Sequence, residues 1–72
     1  MATVYVALLD EGIDVWRPVE ARAVGEDIYE LSGSVPSEER WAFQPGDLVA
    51  CEPHTFAGGE QGLVAVRRIP GR

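Results

Sequence analysis

Hydrophobic positions in this chain recur every second residue far more often than every third or fourth. In residues 3–9, Val4, Val6 and Leu8 fall on one face of an extended segment and Tyr5, Ala7 and Leu9 on the other. Successive strand side chains point to opposite faces, so a run apolar on both faces predicts a strand covered on both sides. Residues 15–24 form the second predicted strand. Val15, Val19, Ala21 and Ala23 share one face with Arg17, and Trp16, Glu20 and Arg22 share the other. Pro18 interrupts the run. A proline cannot donate to a ladder, which predicts either an edge position or a bulge and a one-residue slip of register beyond it.

Turn signals separate the remaining strands. Gly25-Glu26-Asp27 predicts a hairpin into 28–32, where Tyr29 and Leu31 face inward. Residues 32–39 are a polar loop, and 40–44 is a short strand with Trp41 and Phe43 on one face. In Gln44-Pro45-Gly46-Asp47, proline presets φ at the second position and glycine supplies a positive φ at the third. A strand over 48–52 follows, then a loop over 53–59 that holds Phe56, a glycine-rich turn, and a last strand over 63–69. Leu63, Ala65 and Ile69 share one of its sides. No helical period of any length is present. The pattern predicts an all-β chain: a small, strongly bent, five- to six-stranded antiparallel barrel spanning 1–72, frayed over 70–72.

Length limits what such a barrel can bury. A domain of 72 residues hides roughly 60% of its unfolded surface, and one core of this size supplies only about 3–5 kcal/mol. Cys51 is the sole cysteine, so no internal disulfide adds to that. Self-association, as a homodimer, is the expected remaining support. Twelve acidic residues face six basic ones, all arginine, for a net charge of −6. Phosphate binding depends on Lys and Arg releasing counterions, so nucleic acid is not an expected partner, and neither is an anionic membrane. Nothing approaches a membrane span or a signal peptide, and a lone thiol fits a reducing compartment; the expected location is the cytoplasm.

Two stretches carry a resemblance. The run from Val4 to Ala21, with Leu8-Leu9-Asp10-Glu11-Gly12 and Val15-Trp16-Arg17-Pro18-Val19 inside it, resembles a group of short uncharacterised bacterial proteins that open on LLDEGxxVWRPVxA. Phe43-Gln44-Pro45-Gly46-Asp47-Leu48-Val49, followed by Gly62–Val66, is similar to the Pro-Gly-Asp turn of SH3-like barrels. The resemblance covers about two thirds of the chain. It implies an SH3-like barrel and a bacterial origin, and supplies no catalytic residue.

The most unusual local sequence is Trp16-Arg17-Pro18. Trp and Arg are enriched where partners bind, and with Trp41 and Phe56 they form the candidate binding surface. The alternative role for Trp16 is to close one end of a small barrel while Pro18 bends the strand; both readings stay open. Asp10, Glu11 and Asp14 cluster in one acidic loop that does not follow a calcium-loop spacing. It reads as a solvated loop that tunes partner choice by charge. Arg17, Arg22, Arg67 and Arg68 are expected to pair across strands with Glu20, Glu30 and Glu52. Cys51 and His54 have a C-x-x-H spacing, half a zinc site at most, so no metal and no cofactor are expected. No catalytic triad, phosphate loop or acid–base pair is in a recognisable frame. The leading expectation is therefore a non-enzymatic protein-interaction module that also self-associates. An alternative is an accessory or regulatory protein binding a small molecule or peptide in a pocket of Trp16, Trp41 and Tyr29. An enzyme using Cys51 and His54 is a distant third.

Overall fold

The computed structural model describes residues 2–9 and 15–70. Five strands, β1 (Ala2–Ala7), β2 (Trp16–Gly25), β3 (Ile28–Leu31), β4 (Leu48–Thr55) and β5 (Gln61–Ile69), close into a barrel in sequence order. This is the expected all-β architecture, a small SH3-like barrel. No helix of the described residues is long and apolar enough to cross a membrane.

The expected all-antiparallel pairing needs one correction. Each of the four sequential pairs is antiparallel, but β1 and β5 meet in parallel, Val4 beside Leu63 and Tyr5 beside Val64. The reason is parity: every hairpin reverses direction, so an odd number of strands returns with the last parallel to the first.

β2 carries the bend. Its first half pairs with β1 and its second half with β3, Ala21 serving both. The β1–β2 register runs unbroken through Tyr5–Pro18, so Pro18 introduces neither bulge nor slip. It is tolerated because β3 does not begin to pair until Ala21, which leaves that edge of Pro18 without a ladder to supply. The irregularity falls later, between Ala23 and Gly25, beside a turn in which Asp27 takes the left-handed conformation at φ 61°. Ala23 there is exposed rather than inside. A second bulge lies opposite Ala50 and Cys51 and leaves Val66 as the extra residue. It reverses the inward–outward phase of β5, so Ile69 does not share the inner face of Leu63 and Ala65.

The inner core gathers Val4, Val6 and Leu8 with Val19, Ala21, Leu31, Val49, Cys51 and Ala65. Trp41 joins them at 5% exposure. The expected strand over 40–44 is absent: Trp41 makes a single bridge to Leu8, held by Leu9 N–H to Arg40 O (2.8 Å) and Ala42 N–H to Ala7 O (2.9 Å). The bends that follow divert the chain before a ladder can grow. The turn at Gln44–Asp47 forms as expected, with Gly46 at φ 92° and Asp47 N–H bonded to Gln44 O at 3.0 Å.

Candidate functional site: an aromatic patch on the outer wall

Strand alternation sends Val4 and Val6 inward and Tyr5 outward. On β2, Val19 and Ala21 go inward, which turns Trp16 outward. On β4, Val49 and Cys51 go inward and His54 outward. Phe56 follows directly after β4, its N–H bonded to Glu60 O at 2.7 Å in the turn to β5. Four half-buried rings from three separate segments thus converge on one outer wall. Ring centroids lie 4.8 Å apart for Tyr5–Phe56, 5.0 Å for His54–Phe56, 5.4 Å for Trp16–His54 and 5.9 Å for Trp16–Phe56, all tilted or edge-on. Such arrangements match the aromatic quadrupole, negative at the face and positive at the edge.

Gly62 makes the close approach possible. A Cβ at that position would stand 2.9 Å from Tyr5 Cε1 and 3.2 Å from Phe56 Cε2. Two positions further along the same strand, Val64 is buried without belonging to the inner cluster. Trp16 Nε1 is buried and has no hydrogen-bond partner among the described residues. An unmade bond of this kind costs about 1–3 kcal/mol, so an indole is a poor choice here if packing is the side chain's whole task.

The expected surface of Trp16, Arg17, Pro18, Trp41 and Phe56 therefore divides. Trp16 and Phe56 come together, with Tyr5 and His54 as members the sequence reading missed. Pro18 is exposed and stands opposite Tyr5 in the β1–β2 ladder. Trp41 is corrected from surface to core. Its indole N–H donates to Glu39 Oε1 at 2.9 Å, and the same carboxylate receives Arg17 Nε at 3.1 Å and a second Arg17 N–H on Oε2. Both donors, Arg17 first, hold the Glu39 carboxyl below the ordinary carboxylate range, and Glu39 in turn raises Arg17. Arg17 is thus committed to a loop carboxylate rather than to Glu20. Arg17, Pro18, Glu39 and one edge of Trp41 line a shallow depression of about 370 Å³ beside Ser34 and Pro36.

Of the cross-strand charge pairs, Arg22–Glu30 forms, at facing positions of β2 and β3. The pocket of Trp16, Trp41 and Tyr29 does not: Trp41 and Tyr29 pack with the inner core while Trp16 lies outside the wall. Cys51 and His54 do not form a pair either. An odd separation along β4 puts them on opposite faces, and burial, with a contribution from Asp27, pushes the Cys51 thiol up to about 11. At neutral pH it is a protonated core side chain, not a thiolate nucleophile. Among the described residues no group of three or more His, Cys, Asp or Glu is placed to hold a metal ion. Asp10, Glu11 and Asp14 lie outside the described residues.

No protein-family model, no curated protein and no solved structure matches the chain.

Proposed function

We propose that the protein is a non-enzymatic binding module that receives a basic polypeptide segment on the patch formed by Tyr5, Trp16, His54 and Phe56. The observation that carries this reading is the position of the four rings. They lie outside a barrel wall whose inner core is already closed by Val, Leu, Ala and Trp41 side chains. Half-buried aromatics with a polar handle combine contact area with low ordering cost, the composition found at binding hot spots.

Charge supports the class of partner. The molecule carries −6. The exposed Glu52 is two residues from His54 on β4, and the exposed Glu60 closes the turn onto Phe56. Arginine and lysine side chains are attracted both to these carboxylates and to the faces of Trp and Tyr rings.

Selection from a random peptide display library tests the reading. Wild-type protein is expected to enrich basic peptides, and the Phe56→Ala variant, still folded by circular dichroism, to lose that enrichment. Failure to enrich any peptide family, or enrichment that survives Phe56→Ala, overturns it.

A further inference from the structure

A second outer surface lies at the other end of β2 and β5. The β1–β2 ladder ends at Ala2–Ala21, and the described β1–β5 pairs stop at Tyr5–Val64. Beyond these points Arg22–Gly25 and Ala65–Ile69 have no β1 partner among the described residues. Two of the three exposed large aliphatic side chains among the described residues lie on these stretches, Val24 at 42% and Val66 at 43%. The phase reversal at the β5 bulge turns Ile69 outward beside Leu48, and Leu48 stands beside Glu30 of β3. Val24, Ile28, Leu48 and Ile69 form the apolar lining of an open groove of about 670 Å³.

The charges on this groove differ from those of the rest of the molecule. Arg22 and Arg68 contribute two positive charges and Glu30 and Asp47 two negative, so the lining is neutral on a protein of net charge −6. Arg22 and Glu30 satisfy each other. Arg68 makes no ion pair among the described residues, and Asp47 spends one oxygen, Oδ2, on Gln44 N–H.

We propose that this groove binds a second copy of the chain about a two-fold axis, with Arg68 of each copy against the partner's Asp47. An isologous interface must complement itself. A surface bearing equal charges of both signs around an apolar floor does so; the acidic remainder of the molecule repels its own kind. A basic partner is drawn instead to the aromatic end, so the occupant favoured here is another acidic copy. The interface would also cover the stretches of β2 and β5 that have no β1 partner among the described residues, since unpaired strand edges invite uncontrolled pairing.

Sedimentation equilibrium on the full chain from ~1 µM to ~1 mM is expected to show a reversible monomer–dimer equilibrium. Val24→Glu and Arg68→Glu are each expected to weaken it about tenfold or more, both at exposed positions and with the far-ultraviolet spectrum unchanged. Phe56→Ala, on the other wall, is expected to leave it intact. A wild-type chain that stays monomeric throughout the range overturns the proposal, as does a folded Val24→Glu variant that associates like the wild type.

Discussion

Two tryptophans in one small barrel illustrate how a side chain's polar end reports its role. Trp41 places its N–H on Glu39, and Arg17 completes the same carboxylate. Both oxygens of that carboxylate are engaged, and Trp41 is 5% exposed. Trp16 packs its body on His54 and Phe56, and its N–H has no partner among the described residues. The Glu39 network has a pH signature. Its carboxyl titrates below the ordinary value near 4.5 because Arg17 and Trp41 bond the ionised form. Between the folded and unfolded values the unfolded chain binds more protons, so stability rises with pH across that window. The contribution is complete above the ordinary carboxylate value and disappears as pH falls through the folded one. Denaturant unfolding from pH about 7 to about 3 is expected to show a shallower acid loss for Glu39→Gln than for the wild type. Parallel profiles would mean that the network contributes nothing to acid stability.

At the scale of the strand, Gly62 links the backbone to the patch. It looks from the sequence like one more flexible residue in Gly58-Gly59-Glu60-Gln61-Gly62, yet it lies inside β5, with two rings against it. Gly62→Ala must displace Tyr5 and Phe56, and overpacking of this kind costs about 1–3 kcal/mol. A lowered unfolding midpoint with altered near-ultraviolet aromatic dichroism is the expected result; unchanged values in both would remove the rings from Gly62. Period-two alternation made β1, β2, β3 and the Pro45-Gly46 turn legible, because those signals are local. The parallel seam, the phase change at Val66 and the absence of a strand around Trp41 depend on which strands pair, and no local pattern encodes that. The site was legible only in part for the same reason. Trp16 and Phe56 stood out by residue type. Tyr5 looked like one face of a doubly apolar strand, and His54 drew notice only for its spacing from Cys51, which lies on the opposite face.

At the scale of the whole molecule, an inner core holds the barrel and two outer surfaces differ in their charge settings. The aromatic wall has carboxylates near it, the setting proposed for a basic partner; the aliphatic groove is locally neutral, the setting proposed for another copy. On the proposed reading the outer rings form the binding surface. The two indole N–H resonances provide a direct readout, because one tryptophan belongs to each side of the wall. In a proton–nitrogen correlation titration with an arginine-rich peptide, the Trp16 indole signal is expected to shift progressively, together with the amides of Tyr5, His54 and Phe56. The Trp41 indole, bonded to the loop carboxylate of Glu39, is expected to stay in place. A static Trp16 signal alongside shifts confined to acidic positions elsewhere, or movement of Trp41 in its stead, would overturn the assignment of binding to the outer rings.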